Sequence, residues 1–136
     1  MGLVIDTSAL VHLDRVKISS KDLPFAKEDL VLPTIVWAEA LIGVRLAKSP
    51  DRAARRRGLL EKIRLLTSFE PFSPEAAEIY AELYSRLRKE GNSIPQNDLQ
   101  IAALAMSLGF GMLVGPKDEK HYRQINDLRV EVIDGT

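Results

Sequence analysis

Leu3-Val4-Ile5-Asp6-Thr7-Ser8 runs three apolar residues straight into an acid. A short unbroken apolar run is what a parallel strand covered on both faces requires. In open parallel sheets, ligands sit beyond the carboxyl ends of the strands. Asp6 therefore stands either at the edge of a binding site or as a turn or helix-capping residue, the other common use of Asp at a strand end. A helix is expected to open from Ala9.

Similar runs recur along the chain. Leu30-Val31-Leu32 precedes Pro33, Met112-Leu113-Val114 follows a glycine, and residues 69–72 and 130–133 are further strand candidates. Residues 22–29 are polar and turn-like. Thr34 is a candidate N-cap for a helix over 35–47, which is apolar around nearly its whole circumference and is therefore predicted to be buried. Ser49-Pro50-Asp51 and Ser73-Pro74-Glu75 each place a capping serine before a proline and an acid, the pattern that opens a helix. The first opens an arginine-rich helix reaching Leu66, the second a helix over 76–89 closed by Gly91. Asn97-Asp98 starts a helix over 99–108 that ends at Gly109, and 117–125 is a charged segment predicted as a short helix. Strands alternate with helices and no hairpin signal occurs. The predicted architecture is α/β, with three layers: a mostly parallel sheet with helices on both faces. At 136 residues the expectation is one domain over 1–136.

Composition narrows the chemistry. Nineteen Lys and Arg balance nineteen Asp and Glu, so no global field recruits nucleic acid or membrane, and any such binding needs a local patch. The absence of Cys excludes disulfides, thiol nucleophiles and Cys-ligated metals. Two His exclude a His-rich metal site. No apolar run approaches the roughly 18 residues of a membrane span. The start, Met1-Gly2-Leu3-Val4-Ile5-Asp6, lacks the basic region and long apolar stretch of a signal peptide, which fits a cytoplasmic protein without membrane attachment.

Further acids stand in unusual places. Glu39 interrupts Ile35-Val36-Trp37-Ala38-Glu39-Ala40-Leu41-Ile42. A buried, unpaired carboxylate costs several kcal/mol, so Glu39 needs a cation, donors or a wet cleft, unless it lies on a narrow polar stripe with Arg45 and Lys48. Gly43, four residues on, leaves room on the same helix face. Asp98 opens its helix, where an acid also suits the helix dipole. Asp118 follows a strand but lies in the charge run Pro116-Lys117-Asp118-Glu119-Lys120. Together these carboxylates can converge at one end of one sheet. Oxygen-only ligands suit a hard cation such as Mg²⁺ or Mn²⁺, which activates water and stabilises the leaving oxygen in phosphodiester cleavage.

The order Ile5-Asp6-Thr7-Ser8, Ala38-Glu39, Asn97-Asp98 and Asp118 resembles the PIN-domain family, and within it the VapC toxins of toxin–antitoxin pairs. Val4-Ile5-Asp6-Thr7-Ser8-Ala9-Leu10 and residues 95–103 carry the resemblance most clearly, and it spans the whole chain. It implies a metal-dependent endoribonuclease in which Asp6, Glu39, Asp98 and Asp118 are catalytic and Asp6, Glu39 and Asp98 hold Mg²⁺ or Mn²⁺. Asp118 matches the family's less regular fourth acid. Gly115-Pro116 stands before it where the family often has a Thr or Ser, so it is expected to hold a water or a second metal. Ser8 is expected to support the site or the helix start, and Asn97 to bond a carboxylate or cap its helix. Implied partners are an RNA substrate, a small VapB-like antitoxin and a second copy of the chain in a homodimer. The antitoxin is expected to insert an Arg among the acids and an apolar tail along a groove walled by helix 35–47 with Trp37.

Arg45, Lys48, Arg52, Arg55, Arg56, Arg57, Lys62 and Arg64 form the densest basic stretch, and they could line the RNA path, Arg45, Arg52, Arg55, Arg56 and Arg57 above all, or lie on a solvated helix face. His12 and His121 are assigned no chemistry, and Trp37, Tyr80, Tyr84 and Phe110 are expected to pack a core or an interface. The competing readings are a catalytically weak PIN-like module that only binds RNA and, with less support, an aspartyl phosphatase. The phosphatase wants a second Asp where Ser8 stands. A phospho-accepting receiver domain lacks its acceptor after Leu30-Val31-Leu32.

Overall fold

Leu3, Val4 and Ile5 are wholly buried, and they are flanked by a strand on either side. In the computed structural model, which describes residues 1–16 and 28–133, they belong to β1 (Gly2–Ile5) at the centre of a five-stranded sheet. Its other strands are β2 (Asp29–Pro33), β3 (Ser68–Glu70), β4 (Gly111–Val114) and β5 (Val130–Val132), in the order β3-β2-β1-β4-β5. Every pairing is parallel: Leu3 stands opposite Leu30, Val4 opposite Met112, Leu32 opposite Phe69, and Met112 opposite Val130. The predicted turn at 22–29 lies outside the described residues except for its last two.

The connections are helical: α1 (Thr7–Val16), α2 (Thr34–Arg45), α3 (Pro50–Leu66), α4 (Pro74–Lys89), α5 (Gln96–Leu108) and α6 (Glu119–Tyr122). The chain moves outward from β1 through β2 to β3, then crosses back over β1 to β4 and β5. Right-handed crossovers in opposite directions put α1–α3 on one face and α4–α6 on the other, as expected for three layers. Contacts agree, with α1 and α3 on α2, and α4 and α6 on α5. The reversal of direction at β1 and β4 opens a crevice at their carboxyl ends.

Local rules explain most helix ends. Ser49 accepts the Arg52 N–H at 3.2 Å and Ser73 accepts the Ala76 N–H at 3.0 Å, each with proline in the first turn. Gly109 closes α5 with φ of 70°, a left-handed conformation that glycine adopts without strain. The first helix starts at Thr7, and Asp6 caps it by accepting the Ala9 N–H at 2.9 Å. Two expected caps differ: Pro33 and Pro95 occupy the cap positions of α2 and α5, so Thr34 and Asn97 fall inside their helices.

The expectation that helix 35–47 is buried is corrected. Only Val36 in α2 is buried, while Ile42 is 57% and the following Leu46 77% exposed. An all-round apolar pattern cannot distinguish a core helix from one that keeps a face for a partner. Trp37 packs edge-on against Phe69 at 5.4 Å, with the Arg57 and Arg64 guanidinium groups over its ring.

At the opposite end of the sheet, Arg129 joins the start of β5 to the start of β2. It donates two hydrogen bonds to Glu28, at 2.8 and 3.0 Å, and one to Glu131 at 3.1 Å. The Arg129 bond holds Glu28 below the usual carboxylate range. Replacing Arg129 with Ala is expected to lower stability modestly, as for a well-formed but exposed network, and the loss should shrink at high salt. Urea unfolding at two salt concentrations checks both; a salt-independent loss would assign the effect to the packing of the arginine stem. Among the described residues, no helix is long and apolar enough to cross a membrane.

Candidate active site

Asp6 ends β1 and is 1% exposed, the sole buried charged residue among those described. Its backbone N–H continues the ladder to the Leu113 carbonyl at 3.1 Å, fixing the acid at the mouth of the crevice. Ser8 donates to both carboxylate oxygens, at 2.8 and 2.9 Å, while its Oγ accepts the Gly115 N–H at 2.9 Å. One hydroxyl thus ties the end of β4 to the end of β1. Gly115 permits the approach: a Cβ there would stand 2.7 Å from the Ser8 carbonyl oxygen.

The other acids face the same opening. A cleft of about 240 Å³ is lined by Thr7, Ser8, His12, Glu39, Asp98 and Asp118, among others. Glu39 is half-buried rather than on an exposed polar stripe, and it accepts the Asn97 amide at 3.3 Å. Of the two expectations for Asn97, carboxylate support is the one observed. Asp98 accepts from or donates to the His121 ring at Nδ1–Oδ2 2.7 Å, according to its protonation, and His121 Nδ1 lies 3.6 Å from Asp118 Oδ1. Asp98, Asp118 and His121 each offer one ligand atom within 4.8 Å of the others, close enough to hold a metal ion.

Burial and mutual repulsion raise the proton affinity of Asp6, Glu39 and Asp98. Burial pushes Asp6 up to about 7, against the pull of the Ala9 N–H and Ser8 hydroxyl, and Asp118 adds to the rise. Burial raises Glu39 as well, with the Asp98 charge adding to it, and Asp98 rises for the same reason, with Asp118 as its like-charged neighbour. Such a set is unfavourable without a cation.

Two residues of this site escaped sequence reading. His121, given no chemistry there, stands between two acids. The signal was the spacing Asp118-x-x-His121, which puts both on one side of a helical turn. Tyr122 is fully buried, and its hydroxyl lies toward Asp6 and Asp98 without a well-formed hydrogen bond. Burial, then Asp6 and Asp98, push its proton affinity well up. Thr7 Oγ1, beside Glu39, and His12 Nε2 are likewise buried on the cleft wall without a well-formed hydrogen bond.

The basic stretch is divided. Arg56 donates to the Gly43 carbonyl at 2.9 Å and Arg57 pairs with Glu61 at 2.9 Å, so both are engaged within the chain. Arg45, Arg52 and Arg55 are exposed. A second cavity, of about 230 Å³, is lined by Thr7, Glu39 and Arg56 and by the apolar residues Leu10, Val11, Ala40, Leu59 and Leu60. Trp37, expected to wall such a groove, is not among its lining residues.

Residues 3–126 match the family model described as PIN domain. Ribonuclease VapC of Rickettsia bellii is 33% identical over 135 residues, covering 98% of this chain and 100% of its own. Ribonuclease VapC4 of Mycobacterium tuberculosis is 31% identical over 130 residues, 94% of each chain. Among solved structures, VapBC2 from Rickettsia felis, bound to a DNA fragment from their promoter, is similar with a TM-score of 0.83 at 25% identity, over 98% of this chain and 100% of that one. VapBC-5 from Mycobacterium tuberculosis, a member of the VapBC family of toxin–antitoxin systems, has a TM-score of 0.73 at 27% identity over 97% of each chain.

Proposed function

We propose, from the premise that this chain belongs to the PIN-domain family, that it is a metal-dependent endoribonuclease and the toxin of a type II toxin–antitoxin pair. The observation that carries the reading is the cleft where Glu39, Asp98 and Asp118 meet, with Asp6, a dry carboxylate at the end of the central strand, bonded to Ser8, which lines that cleft. Four acids there have no use as a packed core and a clear one as an ion cage.

The donor set fits a hydrated divalent cation such as Mg²⁺ or Mn²⁺. Its carboxylates are hard oxygen donors, and the orphaned Tyr122, Thr7 and His12 atoms offer bonding capacity for coordinated water. Asp6, Glu39 and Asp98 would hold the ion. A bound ion supplies a water acidic enough to attack a phosphodiester and offsets charge on the leaving oxygen. The chain's own contribution is positional. Ser8 and the Ala9 N–H orient Asp6, Asn97 holds Glu39, and His121 holds Asp98. Exposed Arg45, Arg52 and Arg55 are left to contact the RNA backbone.

The antitoxin reading rests on the apolar cavity beside Glu39. A tail with apolar side chains and one cationic tip would fill that cavity and reach the acids, and Arg pairs best with carboxylates because its fork is bidentate and stays charged. Exposed Phe72 and Tyr84, with Tyr80 between them, support a homodimer face. The chain acts in the cytoplasm, where its RNA substrate is.

The test is cleavage of a defined RNA by purified protein. Activity is expected to vanish with EDTA and return with Mn²⁺ or Mg²⁺. Cleavage that ignores EDTA would overturn metal dependence. RNA bound but never cut, with either ion, would favour a binding module over an enzyme.

A further inference from the structure

The described cleft is not an oxygen-only cage. We propose that Asp98, Asp118 and His121 form a mixed oxygen–nitrogen metal site, with His121 Nδ1 as a direct ligand, and that this nitrogen biases the cleft toward first-row transition ions over Mg²⁺. The proposal rests on the metal-dependent reading above and adds a ligand and a preference to it.

The geometry is close to what an ion demands. Neighbouring ligands about 2.1 Å from an octahedral ion stand about 3.0 Å apart. His121 Nδ1 is 2.7 Å from Asp98 Oδ2 and 3.6 Å from Asp118 Oδ1, so the two distances bracket that value. Asp118 and His121 are three residues apart at the start of α6, and together they face Asp98 on α5. A purely structural ion pair needs one acid for the imidazole. Here a second acid stands at the same nitrogen.

An independent observation comes from the next residue. Tyr122 is fully buried, its hydroxyl lies toward Asp6 and Asp98 without a well-formed hydrogen bond, and it feels the charges of Asp6, Asp98 and Asp118. A dry phenol is costly to leave unbonded. A water carried by a cation among these carboxylates would be its partner. Ligation through Nδ1 leaves the ring proton on Nε2 and exchanges the bond to Asp98 for one to the ion. Imidazole nitrogen strengthens binding of transition ions, whereas Mg²⁺ prefers oxygen and its own waters.

The experiment uses the whole chain with Mn²⁺ as probe, read by electron paramagnetic resonance. Electron spin echo modulation of bound Mn²⁺ is expected to show imidazole ¹⁴N coupling. The chain has two histidines, so His12→Gln should keep the coupling and His121→Gln should lose it. His121→Gln is also expected to weaken Mn²⁺ binding at least about tenfold while changing Mg²⁺ binding, measured by competition, less than about threefold. Bound Mn²⁺ with no nitrogen coupling, or coupling that disappears with His12, would overturn the His121 ligand and leave the metal-dependent reading standing. Failure of the parent to bind Mn²⁺ would overturn both. Should His121→Gln not fold, the parent and His12→Gln spectra decide the question between them.

Discussion

Asp6→Asn is expected to reduce metal-dependent RNA cleavage at least about a hundredfold and, in metal-free protein, to raise the melting temperature above neutral pH. The first effect follows from removing the charge of the most buried of the acids proposed to hold the ion. Losses of about 10²–10³ accompany removal of single preorganised electrostatic groups. The second effect follows from the proton affinity of Asp6, which burial lifts from 3.8 to about 7. The stabilising contribution of the protonated acid is fully present below about pH 4 and is lost as pH rises through about 7. At pH 8 the metal-free parent therefore carries a buried charge at a cost of up to about 4 kcal/mol, and the Asn variant does not. At pH 4 the two should melt alike. Glu39→Gln and Asp98→Asn should lose at least about tenfold in cleavage through the same loss of ligand charge, and Asp118→Asn should lose less. An Asp6→Asn enzyme within a factor of about three of the parent would remove the carboxylate from the mechanism, since ligand losses are far larger. Equal melting temperatures at pH 8 would show that Asp6 is not an unfavourable buried charge.

Gly115→Ala should damage both fold and activity although it adds one methyl group outside the acid cluster. The new Cβ would meet the Ser8 carbonyl oxygen at 2.7 Å and its carbon at 3.0 Å. Both belong to backbone, so neither can rotate away. Overpacking of this kind costs about 1–3 kcal/mol. Separating the two segments also breaks the 2.9 Å bond from the Gly115 N–H to Ser8 Oγ, and with it the hold on Asp6. Cleavage is expected to fall at least about tenfold at temperatures where the variant remains folded, as for other losses of ligand support. Gly58→Ala is the control: nothing lies within 4 Å of its added Cβ, and it sits inside α3. That substitution should stabilise by up to about 1 kcal/mol through helix propensity. If both alanines behave alike in thermal and activity assays, the close approach at Gly115 has no energetic consequence.

Strand composition and helix punctuation made much of this architecture legible. Leu3-Val4-Ile5 had to be covered on both faces, and the two Ser-Pro starts of α3 and α4 are hydrogen-bonded caps. Asp6, Glu39 and Asp98 stood out because each acid interrupts or ends an apolar run. His121 and Tyr122 did not stand out, because their significance lies in what α5 and β1 bring to them, and no local pattern encodes that. The α2 helix shows the opposite failure. Its apolar circumference was legible, but whether Ile42 and Leu46 meet the chain's own core or face outward depends on where α1 and α3 leave room. Strand order was likewise hidden, since the return across β1 to β4 is set by tertiary packing.

The bond between Ser8 and Gly115 closes a loop of 107 residues, and that separation has a kinetic meaning. Pairings between distant segments form late, after the loop entropy has been overcome. While the chain is being synthesised, β1 has no β4 to lie beside, Asp6 has no Ser8–Gly115 lock, and Asp118 and His121 do not yet exist. The cleft of acids is thus incomplete until residues 115–118 have been made. The order of strands couples completion of the proposed site to completion of the fold: a chain stopped before β4 carries Asp6 and Glu39 but lacks the segment that pairs with β1.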